Sequence, residues 1–112
     1  MNYDTIRNYH IYKQTNASRY VHGMSETPTH QSWHRMRQSC YSIGYSEYRT
    51  IGEKGIKTCK RWDEFVNFLE DMGERPYGTV LRRLDRTKDF DKDNCKWVYT
   101  SRMKTALNIK DN

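Results

Sequence analysis

Residues 79–108 read TVLRRLDRTKDFDKDNCKWVYTSRMKTALN, and strand, polar loop, strand and helix follow one another within them. Thr79 to Asp85 reads as a strand in which Arg82 alternates with Leu81 and Leu84, so that part of the charge stands on a solvent face. Lys88-Asp89-Phe90-Asp91-Lys92-Asp93-Asn94 is a polar loop, and Lys96-Trp97-Val98-Tyr99 is a second short strand. Thr100 or Ser101 can cap a final helix that runs to about Asn108.

Upstream of this unit the chain reads as helices separated by loops. Trp62-Asp63-Glu64 opens a helix with acidic residues where the dipole favours them, and Trp62, Phe65, Leu69 and Met72 form its apolar stripe. Gly73 is a natural stop, and Glu74-Arg75-Pro76-Tyr77-Gly78 is turn chemistry. Residues 45–58 are rich in Gly and Lys and read as loop with short β pieces. Before them, Thr27 can cap a helix that starts at Pro28, where a missing N–H costs nothing. Trp33, Met36, Arg37 and Cys40 then fall on one face of that helix, which should end near Tyr41. Residues 1–21 carry neither a helical period nor turn signals and read as an N-terminal arm, leaving 22–112 as one domain of α+β class.

The chain has 112 residues and a net charge of +6 from 20 Lys+Arg against 14 Asp+Glu. Val, Ile, Leu and Phe number only 17, and nine Tyr and three Trp compensate with large buriable rings. So thin an aliphatic core in so short a chain predicts a staple, such as a metal or a partner. No run approaches the ~18 apolar residues of a membrane span, and the polar opening Met1-Asn2-Tyr3-Asp4 does not read as a signal peptide. Three cysteines, an odd number without a secretion signal, argue against a disulfide framework. The expectation is a cytoplasmic protein with a polyanionic partner.

Several motifs resemble one known group in combination. They are His22-Gly23-Met24-Ser25, Trp33 to Cys40, Gly55-Ile56 with Cys59-x-Arg61-Trp62, Asp71-Met72-Gly73-x-Arg75-Pro76-x-Gly78 and Asn94-Cys95-Lys96-Trp97. Together they are similar to the small HNH-endonuclease-like (ββα-metal) proteins common in bacteriophages. The resemblance runs from His22 to Asn108, with residues about 79–108 as the ββα unit. It implies a metal-dependent DNA endonuclease or nickase using Mg²⁺ or Mn²⁺. In that scheme Asp85 holds the ion, Arg86 stands at the position of the usual histidine base and neutralises phosphate charge, and Asn94 ties the loop across the two strands. The chain departs from the pattern at three positions. Arg86 replaces the histidine, Ile51 stands where related branches carry a tyrosine, and Met103 occupies the helix position of a metal-binding Asn, His or Gln. Tyr48 is the nearest phenol that could serve as base. These departures make a catalytically inactive HNH scaffold, binding DNA, RNA or a host protein, the alternative expectation.

The resemblance also implies a structural zinc held by His22, Cys40, Cys59 and Cys95, a closed tetrahedral set. Their spacings of 18, 19 and 36 residues contain no Cys-x-x-Cys pair, and His30 and His34 are substitute ligands. Nucleic acid, double-stranded DNA foremost, is the expected partner, with a homodimer as one way to cut both strands. The cations expected to meet it are Lys54, Lys57, Arg61, Arg82, Arg83, Arg86, Lys88, Lys96, Arg102 and Lys104.

Overall fold

The computed structural model describes residues 27–109. The N-terminal arm and His22 lie outside the described residues. The order is helix α1 (Pro28–Tyr41), a run of short 3₁₀ turns, helix α2 (Phe65–Met72), strand β1 (Thr79–Arg83), strand β2 (Cys95–Tyr99) and helix α3 (Ser101–Ala106). The two strands form one antiparallel sheet, so the class is α+β.

Helix α1 begins where capping chemistry places it. The Thr27 hydroxyl accepts from the His30 N–H at 3.2 Å, and Pro28 occupies the first turn. Its inward face gives Met36 and Cys40 to the core. Helix α2 is preceded by a 3₁₀ turn, Lys60–Asp63, so Trp62 lies ahead of the helix rather than in its first turn. Gly73 ends α2 at φ 70°, a left-handed value that glycine adopts without steric cost.

The core is built from rings. Trp62, Phe65 and Phe68 are almost wholly buried, joined by Met36, Val66, Leu69, Ile56, Phe90 and the thiols of Cys40 and Cys95. Trp62 meets Phe68 edge to face at 4.9 Å between centroids, and Phe68 meets Trp97 at 6.0 Å. Each tryptophan also finds an acceptor for its indole N–H: Trp33 on the Trp62 carbonyl, Trp62 on Asp71, and Trp97 on the Met72 carbonyl, all at 2.8 Å. Burial of the large rings therefore leaves no indole donor stranded.

Besides the start of α2, the structure departs from the sequence reading at three places. The segment 45–58 holds no strand of its own. It winds through 3₁₀ turns Ser46–Thr50 and Gly52–Lys54, and its only β character is a single parallel bridge from Thr58 to Phe90. Gly52 explains the tight path, because a Cβ there would lie 2.1 Å from the Cys40 carbonyl oxygen and 2.6 Å from the Tyr48 ring. β1 stops at Arg83, two residues early, because the Asn94 side chain takes the Asp85 N–H at 2.8 Å. α3 stops at Ala106, because Asn108 turns left-handed at φ 57°. Bonds from the Asn108 N–H to the Thr105 carbonyl (3.1 Å) and from the Ile109 N–H to the Lys104 carbonyl (2.8 Å) complete a Schellman stop.

Candidate functional site

The β1–β2 register sorts the hairpin into two faces. Thr79, Leu81 and Arg83 pair with Tyr99, Trp97 and Cys95, whereas Val80 and Arg82 pair with Val98 and Lys96. Thr79 and Cys95 are buried, and Leu81 and Trp97 pack against the core, so the first set faces inward. The second set faces out and places exposed Arg82 directly opposite exposed Lys96. Like charges at such a cross-strand pair repel. No ion pair among the described residues involves either of them.

The connecting loop is organised by Asn94, which is 8% exposed. Its Oδ1 accepts from the Asp85 N–H, and its Nδ2 donates to the carbonyls of Asp85 (3.0 Å) and Asp89 (2.9 Å). The backbone continues the tie, with the Leu84 N–H on the Asn94 carbonyl at 2.6 Å. Asp85 follows at the rim. Its Oδ1 accepts from both the N–H (2.9 Å) and the hydroxyl (2.6 Å) of Thr87. Those bonds, with Lys88 and Arg83 nearby, hold its carboxyl below the usual range and keep it ionised.

Asp85 thus offers one hard oxygen, Oδ2, to a divalent ion. Mg²⁺ sites often use only one or two carboxylates together with substrate phosphate, so this single group fits in kind. Of the other positions of the implied constellation, Asn94 bonds Asp85 directly, whereas Met103 stands apart. Met103 packs on Gly78, where a Cβ would meet the Met103 side chain at 2.4 Å. Gly78 precedes β1 and Asp85 follows it, seven residues on, so roughly 20 Å of extended chain separates them. Tyr48 lies under Gly52 in the 3₁₀ region, and Arg86 is exposed on the hairpin loop.

The three cysteines occupy the inner end of the hairpin. The Cys59 N–H bonds the Phe90 carbonyl at 2.8 Å, Cys95 opens β2, and Cys40 lies in the last turn of α1. Burial raises all three thiols, Cys40 to about 11 and Cys95 to about 12; Asp91 adds to the rise at Cys59, whereas a bond with the Asp91 backbone opposes it at Cys95. Among the described residues no three His, Cys, Asp or Glu side chains converge on one metal-sized site. His30 is wedged between the rings of Trp33 and Phe65, ten residues and about 15 Å of helix from Cys40. His34 faces Gln38, one turn along the same helix.

The cations named from sequence fall into two kinds. Arg61 is held by bonds to Asp71 at 2.9 and 3.1 Å and to Glu70 at 2.9 Å, and Arg83 gives its guanidinium to the carbonyls of Arg86 and Lys88 over the Phe90 ring. Lys54, Lys57, Arg82, Arg86, Lys88, Lys96 and Arg102 are exposed, and Lys104 is half-buried on α3. Arg75, in the turn before β1, carries more structure than its local sequence implies. Arg75 donates from its N–H to buried Thr29 (2.9 Å), from Nε to the Thr79 carbonyl (2.6 Å) and from Nη1 to Ser32 (3.2 Å). It so pins the start of β1 to α1 and lines the groove between them. Two of its three partners, Thr29 and Ser32, lie more than 40 residues away in sequence, and no local pattern signals them.

A scan of family models, a search of curated proteins and a search of solved structures return no match to this chain.

Proposed function

We propose that this chain is an HNH-like domain that binds nucleic acid through the outward face and loop of its β1–β2 hairpin. The observation that carries the reading is the Arg82–Lys96 pair. Two exposed cations held opposite one another repel in the free protein and are relieved when a phosphate chain lies across them. Lys88 and Arg86 extend the same surface along the loop. Binding is the favoured activity, because Met103 and Asp85 stand at opposite ends of β1. Cleavage with Mg²⁺ or Mn²⁺ is the second reading, favoured by the ionised Asp85, whose bonds to Thr87 fall on Oδ1. Zinc on Cys40, Cys59 and Cys95, with His22 as fourth ligand, would require the three thiols to draw together from the positions described above, and with a phage origin it belongs to the same proposal. A host protein as partner is what remains if nucleic acid fails.

The test is retardation of labelled DNA and RNA between about 50 and 200 mM salt, followed by plasmid nicking with Mg²⁺ or Mn²⁺ against an EDTA control. Binding that weakens steeply with salt, on an intact plasmid, is expected. Salt-insensitive binding rejects the phosphate reading. Metal-dependent nicking that disappears in Asp85→Ala, with binding kept, would put the endonuclease reading first.

A further inference from the structure

A groove of 390 Å³ lies between α1 and the edge of β1 that no strand covers among the described residues, a size typical of small-ligand sites. Three features meet in it. Arg35, Arg75 and Arg82 stand around it with Glu47 as the single acid, which is ion-paired with Arg35. Its floor is apolar, from Met36, Ile51, Leu81 and Phe90. The third feature is main chain. The Thr100 N–H bonds the Gly78 carbonyl and the Leu84 N–H bonds the Asn94 carbonyl, so even-numbered residues of β1 bond β2. The N–H and carbonyl of Leu81 therefore point out of the sheet, towards α1, and the next outward carbonyl, that of Thr79, is already taken by Arg75.

From this we infer that the groove receives one unpaired nucleotide of a single strand. Its phosphate sits between Arg82 and Arg75, its ring lies on the apolar floor, and its base edge meets the donor and acceptor of Leu81. A duplex backbone would use the cations alone and leave the floor and the Leu81 main chain without a role. A single strand uses all three, as ring-on-apolar and cation contacts do in other single-strand binders. The inference rests on the nucleic-acid reading proposed above and narrows it from any nucleic acid to an unpaired strand.

Fluorescence anisotropy decides it, with a labelled deoxythymidine oligomer of about ten nucleotides and a duplex of the same length. The full chain should bind the single strand at least about ten-fold more tightly, and Arg82→Gln should remove about ten-fold of that affinity. An oligomer carrying 5-iododeoxyuridine, photo-crosslinked to the unmodified protein, should attach within residues 35–39, 80–82 or at Phe90. This second readout does not depend on how the variant folds. Equal affinity for both forms, or crosslinks elsewhere, overturns the groove while the nucleic-acid reading stands. Failure to bind either form overturns both.

Discussion

Replacing Asn94 tests the architecture of the hairpin loop most directly. Its side chain holds three bonds of 2.8 to 3.0 Å to main-chain groups of Asp85 and Asp89 and is nearly buried. Asn94→Ala removes all three. A net hydrogen bond contributes about 0.5–1.5 kcal/mol, and a buried group left unmade costs about 1–3 kcal/mol. Asp89 is exposed, so water recovers part of its loss, whereas the Asp85 N–H and carbonyl beside Asn94 are less accessible. The expected destabilisation is about 2–4 kcal/mol, a large part of the stability of a domain this size. Asn94→Asp separates the contributions. It keeps the acceptor for the Asp85 N–H but turns a negative oxygen towards two carbonyls, so it should be at least as damaging at neutral pH. Urea unfolding gives the magnitudes, and hydrogen exchange at residues 85–94 should show faster opening there than in α1. A loss below about 1 kcal/mol for both variants, with exchange unchanged, would refute the view that one side chain organises this loop.

Gly52→Ala should lower stability by about 1–3 kcal/mol in thermal unfolding, because the new Cβ meets the Cys40 backbone oxygen, which cannot swing aside. Gly44→Ala, with open space around it, should cost far less. His30 is lowered by burial first and by His34 second, so the unfolded chain takes up a proton more readily than the folded one. Stability should therefore fall as pH drops below about 6.5, the unfolded value, and level off below the folded value. His30→Phe should flatten that part of a denaturation-versus-pH curve, and an unchanged slope would show that the pocket is not responsible. Finally, Arg61→Ala should weaken nucleic-acid binding less than Arg82→Ala in a salt titration, because Asp71 and Glu70 already hold the Arg61 guanidinium.

What could be read in advance was whatever neighbours in sequence determine. Helix α1 is legible because Thr27, Pro28 and the Trp33–Met36–Cys40 face all act within a few turns. The strand–loop–strand order of 79–99 is legible for the same reason. The region 45–58 was not, because its path is set by Gly52 fitting against Cys40, a contact made across the fold. α3 ends two residues before Asn108 because Asn108 serves as a stop and not as a last helical residue. The groove is the largest omission. Arg75 lies 46 residues from Thr29 and 43 from Ser32, and only the folded chain brings their side chains together. At the candidate site, the sequence pointed to Asp85 and Asn94 but could not reveal that Met103 turns away from both.

The distribution of charge explains why the hairpin, and not the chain as a whole, should meet a polyanion. Three arginines elsewhere are matched, Arg35 with Glu47, Arg37 with Asp63, and Arg61 with Glu70 and Asp71, while Lys54, Lys57 and Lys60 are exposed and outside any ion pair among the described residues. The loop after β1 is rich in aspartate too, yet three of its four carboxylates turn to the backbone, Asp93 being the exposed exception. Asp85 accepts from the Thr87 N–H, Asp89 from the Lys57 N–H, and Asp91 from the N–H groups of Asp93 and Asn94, each at 2.9 Å. These acids shape the turn as local acceptors, and none forms an ion pair with Arg82, Arg86, Lys88 or Lys96. The cations are left facing outward on a loop made rigid by the acids beside them. A rigid array loses little freedom when a partner binds, and its unmatched charge also speeds the encounter. Loosening the loop should therefore weaken binding even where every lysine and arginine is kept, which makes Asn94→Ala a test of recognition as well as of stability.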